Sequence, residues 1–132
     1  RLPSDHSSRA RVRALANLIT CDIHPLNNLR VRLYLVDEMN VTEEKRQAWI
    51  SHWIHVGFQA YEKNLVNCEE IGFYSHGNHP TMADVCLIPQ IANACLNKVD
   101  LSNFPLILQV EERCQAHPAF KKALPTNQSD GT

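Results

Sequence analysis

Between Thr42 and Cys68 the chain places apolar residues at helical spacing on two sides at once, and no other feature restricts the fold as strongly. Ile50, Trp53, Ile54, Gly57, Phe58, Tyr61 and Leu65 line one face, while Trp49, Val56 and Ala60 make a second side apolar. Thr42 followed by Glu43 and Glu44 supplies a side-chain cap and negative charge at the positive end of the helix dipole. A helix apolar on two sides belongs at the centre of a bundle. Gly57 is expected to let a neighbour's backbone come close.

The other segments are helical too. Val12, Leu15, Ala16 and Ile19 recur at three-and-four spacing, with Ser4 or Asp5 as the cap. That helix falters near Pro25, after which Leu26, Leu29, Leu33 and Val36 rebuild an apolar stripe to about Met39. The pair reads as one long helix kinked at Pro25. Residues 69–80, with two glycines, read as an irregular connection. Thr81-x-x-Asp84 is capping-box chemistry with Asp in the usual Glu or Gln position, opening a helix to about Leu96 that should bury Val85, Ile88, Ile91, Ala92 and Cys95 and bend at Pro89. Pro105 suits a first helical position, with Ile107, Val110 and Cys114 facing inward, and Pro118 opens a short last helix to about Ala123. Strand alternation and internal repeats are absent, so the expectation is an all-α bundle over residues 1–124 with a loosely held polar tail at 125–132.

Composition narrows the partners. The 132 residues suffice for one domain with a core, and a net charge of -1 provides no global field for nucleic acid or an anionic membrane. Arg9, Arg11 and Arg13 form a local basic patch, expected to be the solvated side of a helix. No apolar run is long enough to span a bilayer. The five cysteines (Cys21, Cys68, Cys86, Cys95 and Cys114) are odd in number, lack Cys-x-x-Cys spacing and lie mostly in apolar helical runs. Reduced, buried thiols of a cytoplasmic protein fit that pattern. The chain begins with Arg rather than Met, as expected of a piece of something longer.

Candidate chemistry is sparse. His52-x-x-His55 and the pair His76 and His79 match no zinc pattern, even with Glu69 and Glu70 nearby, so no metal is expected. No cysteine has a context that clearly lowers its pKa, and no serine sits in a strand-turn-helix elbow. The polar group His24, Asn27, Asn28 and Arg30 stands where Pro25 interrupts a helix. At helical spacing His24 and Asn28 share one face, while Asn27, Arg30 and Tyr34 share another. From the residues alone two readings stay open: turn formers with a surface arginine, or an anion site in which a guanidinium grips a carboxylate.

Three stretches carry a family resemblance: Asn78-His79-Pro80-Thr81-Met82-Ala83-Asp84-Val85-Cys86-Leu87-Ile88-Pro89-Gln90, the following Ile91-Ala92-Asn93-Ala94, and Cys21-Asp22-Ile23-His24-Pro25-Leu26-Asn27-Asn28-Leu29-Arg30. Together they resemble the C-terminal helical domain of zeta-class glutathione transferases, which include the maleylacetoacetate and maleylpyruvate isomerases. The resemblance implies a glutathione-transferase C-terminal-like bundle. It also implies glutathione as cofactor, a maleyl-type diacid as substrate, and a role in aromatic amino-acid breakdown. His24 and Asn28 are then expected to help hold glutathione, and Arg30 to pair with a substrate carboxylate. In that family a thioredoxin-like N-terminal domain activates the thiol. That half is absent from this sequence, so catalytic residues are expected outside it, and the chain alone is expected to be inactive. Full-length relatives pair as homodimers.

Two departures stand out. Leu96 occupies the place where the family usually carries a substrate-binding arginine, with Lys98 two residues beyond, and Asn78 replaces the acid usual before the capping box. Loss of a charged clamp costs about 2 to 5 kcal/mol when the partner carboxylate is left buried and unpaired. A broader glutathione transferase therefore stays open, as does a non-catalytic helical domain used for protein association.

Overall fold

The computed structural model describes residues 2–67 and 72–128. Among them the chain forms α1 (His6–Asn17), a π-helical turn (Leu18–Ile23), α2 (His24–Asn27), α3 (Leu29–Asp37), α4 (Glu43–Val66), α5 (Met82–Leu96), α6 (Pro105–Ala116) and α7 (Pro118–Ala123), then a 3-10 turn at Pro125–Asn127. No strand occurs among the described residues. The all-α expectation holds.

α4 is the axis of the bundle. It touches α2, α3, α6 and the π turn, while α5 packs against α1 and α6. One continuous core joins Val12, Leu15 and Ile19, the α4 residues Ile50, Ile54, Phe58, Tyr61 and Leu65, Leu87 and Ile91 of α5, and Ile107, Val110 and Cys114 of α6. Each such aliphatic or aromatic side chain contributes about 1.5 to 3 kcal/mol by leaving water. The second apolar side of α4 is covered less completely: Trp49, Trp53 and Ala60 are half-buried and Val56 is exposed.

Three inner-face expectations fail, each for a physical reason. On α5 the buried residues are Ala83, Asp84, Leu87, Gln90, Ile91 and Ala94, whereas Val85, Ala92 and Cys95 are exposed and Ile88 is half-buried. α5 is apolar nearly all round, so periodicity does not choose its rotation. The capping network does. Asp84 is fully buried, its carboxylate accepting from the backbone N–H of Ser75 (2.8 Å) and Thr81 (2.7 Å) and from the Thr81 hydroxyl (2.9 Å). The reciprocal capping box is complete, the Thr81 side chain facing the Asp84 backbone N–H, and the Thr81 hydroxyl also accepts from Ala83 N–H at 3.3 Å. The Tyr61 hydroxyl donates to Ser75 Oγ at 2.8 Å, tying the same loop to α4. Turning Val85 inward would pull Asp84 out of that network.

The stripe Leu29, Leu33 and Val36 is likewise exposed, and Leu35 is the buried residue of α3. The backbone breaks at Asn28 (φ -70°, ψ 163°), not at Pro25, so the stripe's register does not carry across. The third failure concerns the thiols. Cys114 is buried and Cys86 half-buried, but Cys21 and Cys95 are exposed; Cys68 lies outside the described residues.

Several side chains close helix ends across the fold. Asp5 caps α1 by accepting from Ser8 N–H (2.8 Å), and Thr42 caps α4 by accepting from Lys45 N–H (3.3 Å). The Glu62 carboxylate, from the middle of the bundle, accepts from Leu106 N–H (2.8 Å) and Ile107 N–H (2.9 Å) at the start of α6. That places a negative charge on the positive end of a helix more than forty residues away in sequence. The basic patch is only partly solvated. Arg9 donates to the carbonyls of Pro3 (3.1 Å) and Ser4 (2.8 Å), and Arg11 to that of Asn64 (2.9 Å), whereas Arg13 is exposed.

Candidate anion-recognition turn

The turn that carries His24, Asn28 and Arg30 is built by a widened helix followed by a break. Pro25 has no N–H to donate and its ring crowds the carbonyl four residues back. The chain relieves this with one π turn, in which His24 N–H bonds the Ile19 carbonyl five residues back. Pro25 then sits in the first turn of the four-residue α2. The chain leaves α2 at Asn28, whose extended backbone makes it the cap of α3; its Oδ1 accepts from Val31 N–H at 3.2 Å.

Three contacts press this turn onto α4. Ile23, fully buried, fills the space beside Gly57: a Cβ on Gly57 would lie 2.2 Å from Ile23 Cγ1. The close approach foreseen at Gly57 is therefore made by a side chain, not by a neighbour's backbone. The Trp49 indole N–H donates to the Leu26 carbonyl (2.9 Å), and Asn27 Nδ2 donates to the Ile50 carbonyl (3.3 Å).

His24 and Arg30 are exposed and Asn28 is half-buried. All three fall within seven residues, on either side of the break. The face assignment made at helical spacing holds for Arg30 and Tyr34, four apart on α3, and fails for the rest. α2 ends at Asn27, so His24 and Asn28 do not stack as helical neighbours, and Asn27 is buried against α4 while Arg30 and Tyr34 are exposed. Donors dominate these three side chains: an imidazole, a guanidinium, and the Nδ2 of Asn28, whose Oδ1 is engaged by Val31. Such a set suits carboxylates and peptide carbonyls.

Other candidates resolve differently. His52 lies edge-on to Trp53, and His55 pairs its Nε2 with the Asp100 carbonyl (2.9 Å) and packs on Phe104. The described residues contain no group of three or more His, Cys, Asp or Glu placed to hold a metal. Two open grooves, of about 560 and 570 Å3, lie away from the turn. One runs between residues 2–5, Arg9 and residues 76–81, the other between His55, Glu62 and Phe104. No helix among the described residues is long and apolar enough to cross a membrane. Leu96, at the end of α5, is 83 % exposed.

This arrangement of helices is that of the C-terminal domain of glutathione transferases. Over 99 % of the chain it superposes with TM-score 0.95 on the holo structure of a maleylpyruvate isomerase described as a bacterial zeta-class glutathione transferase, at 44 % identity and covering 62 % of that protein. A maleylpyruvate isomerase structure from Pseudomonas aeruginosa matches with TM-score 0.94 at 40 % identity, over 99 % of this chain and 68 % of that one. A maleylpyruvate isomerase from Ralstonia is 44 % identical over 129 residues, 98 % of this chain and 61 % of the relative. An isomerase structure from Anaeromyxobacter dehalogenans, 34 % identical, with TM-score 0.91 over 99 % of this chain and 58 % of that one, holds glutathione in its active site. No family model matches the chain. The chain belongs to the zeta-class glutathione transferase family of maleylpyruvate and maleylacetoacetate isomerases. It spans about three-fifths of the length of the curated relatives it matches.

Proposed function

We propose that this chain is the helical half of a glutathione-dependent cis-trans isomerase acting on maleyl-type diacids. The supporting observation is the donor set at the Asn28 break, with His24 and Arg30 exposed, carried on a chain of this family. Glutathione, when bound, supplies the reversible thiol addition that turns a double bond into a rotatable single bond. His24 and Asn28 donate to the tripeptide, and the Arg30 guanidinium holds a substrate carboxylate in bidentate fashion. By fixing the charged ends of both molecules, these side chains convert an encounter into an oriented pair. The thiol is activated on a thioredoxin-like domain that this sequence does not contain. Apolar surface on Leu29, Leu33, Val85 and Leu96 is what a companion domain or subunit would cover. The same reading makes residues 1–124 the folded domain and 125–132 the tail. It places homodimers in the cytoplasm, within aromatic amino-acid breakdown, where the four described cysteines, all free of disulfides, stay reduced.

A second reading follows from Leu96. An apolar side chain this exposed, at the position where the family resemblance leads one to expect an arginine, favours a less charged substrate than a full diacid.

The test is a turnover assay with maleylacetone and glutathione on the natural full-length protein and on this chain alone. The expected result is isomerisation by the former only. Arg30→Ala should raise KM for the diacid about tenfold or more, with a smaller effect on glutathione. His24→Ala, and Asn28→Ser, which keeps a helix cap, should weaken glutathione instead. Full activity of the Arg30→Ala, His24→Ala and Asn28→Ser variants would overturn the site. An inactive wild type would overturn the function.

A further inference from the structure

We propose that Trp49 and Asn27 are positioning residues: from outside the ligand contacts, they hold the turn bearing His24, Asn28 and Arg30 against α4. The inference rests on the functional reading above but is carried by separate observations.

α2 has four residues, too few to persist as an isolated helix, and it is bounded by a π turn on one side and an extended residue on the other. Its orientation must come from elsewhere. The last carbonyls of any helix lack partners within it. Here the orphan carbonyl of Leu26 is taken by the Trp49 indole N–H at 2.9 Å. One residue on, Asn27 is only 7 % exposed and donates to the Ile50 carbonyl at 3.3 Å, while its Oδ1 is buried with no protein partner. An apolar side chain of the same size would avoid that unpaired acceptor. The amide at this position is therefore poorly explained by stability and well explained by aim, since it fixes the turn directly before Asn28. Ile23 against Gly57 pins the other end, so His24 lies between two anchored points on α4.

The consequence is that ligand affinity depends on Trp49 of α4 and Asn27 of α2, side chains that do not touch the ligand. Misplacing charged donors by about an ångström is costly when they must meet carboxylates at hydrogen-bond distance.

In the natural full-length protein, Trp49→Phe removes the indole N–H and keeps an aromatic ring, Asn27→Leu removes the amide at similar volume, and Ile107→Val in α6 serves as a mild core control. Two measurements are read: KM and kcat for maleylacetone and glutathione, and hydrogen exchange of the Val31 amide, which Asn28 Oδ1 holds at 3.2 Å. Trp49→Phe and Asn27→Leu should raise both KM values about three- to tenfold, with kcat less affected, and speed Val31 exchange. Ile107→Val should leave both KM values and Val31 exchange unchanged. Wild-type KM values in the two turn variants, whether or not exchange rises, overturn the proposal. If the wild type shows no glutathione-dependent isomerisation, the functional reading falls, and exchange alone decides the anchoring. Faster exchange in both turn variants than in Ile107→Val then supports it, and equal rates overturn it.

Discussion

Ile23 occupies the volume that a side chain on Gly57 would need, with its Cγ1 2.2 Å and its Cδ1 2.3 Å from the position of a Cβ there. Gly57→Ala gains about 0.5 to 1 kcal/mol of helix propensity but forces Ile23, and with it the π turn, out of place at about 1 to 3 kcal/mol. Net destabilisation is expected in urea unfolding. Ile23→Ala removes both clashing carbons, so combined with Gly57→Ala it should cost less than the sum of the two single changes, a favourable coupling in a double-mutant cycle; simple additivity of the two changes would contradict the packing account.

Asp84 is the hinge of the loop before α5. Asp84→Ala leaves the N–H groups of Ser75 and Thr81 without acceptors in a fully buried site, so a loss of about 3 to 5 kcal/mol is expected, while Asp84→Asn, which keeps one acceptor, should lose less. Thr81→Ala should cost about 1 kcal/mol as a cap deletion. Chemical denaturation of the three variants, ranked in that order, is the measurement.

Burial, with Asp84 and Glu111 nearby adding repulsion, pushes the Cys114 thiol up to about 12 from its ordinary 9.0. The folded protein thus keeps a proton that the unfolded chain releases, and stability from this group is complete below about pH 9 and lost as pH rises toward 12. Tyr61 is raised as well, chiefly by burial, and adds in the same direction above its ordinary 10.0. Unfolding curves from pH 8 to 11 should therefore slope downward less steeply in Cys114→Ala than in the wild type. With a thiol reagent at pH 8, Cys21 and Cys95 should react before Cys114, which should react only on unfolding.

α5 ends in a left-handed turn at Lys98, φ 56°, with Val99 N–H on the Ala94 carbonyl (3.0 Å) and Lys98 N–H on the Cys95 carbonyl (2.9 Å). This is the Schellman geometry that glycine adopts without steric penalty. Lys98→Gly should stabilise the fold by about 0.5 to 1 kcal/mol, readable as a rise in thermal midpoint.

Helix identity was legible in the residues because it depends on short-range chemistry. Thr42, Thr81, Pro105 and Pro118 mark helix starts, and Asp5 one of the two expected caps. Ile107, Val110 and Cys114 were also assignable to an inner face, since α6 has polar residues on its other sides to set the contrast. The family resemblance rested on local motifs, which is why it could be read before any fold was seen.

Rotation and register belong to the tertiary structure. α5 is apolar almost all round, so its inner face was decided by a carboxylate that must meet N–H groups from a loop nine residues upstream. The break fell at Asn28 rather than Pro25 because a π turn can absorb the proline while α4 holds Leu26 and Asn27 in place. Glu62 at the start of α6, and Trp49 under the turn before Asn28, involve partners 44 and 23 residues apart. No local pattern encodes such pairs. They exist only once packing has brought distant helices together and an unpaired carbonyl or N–H has found the one side chain within reach.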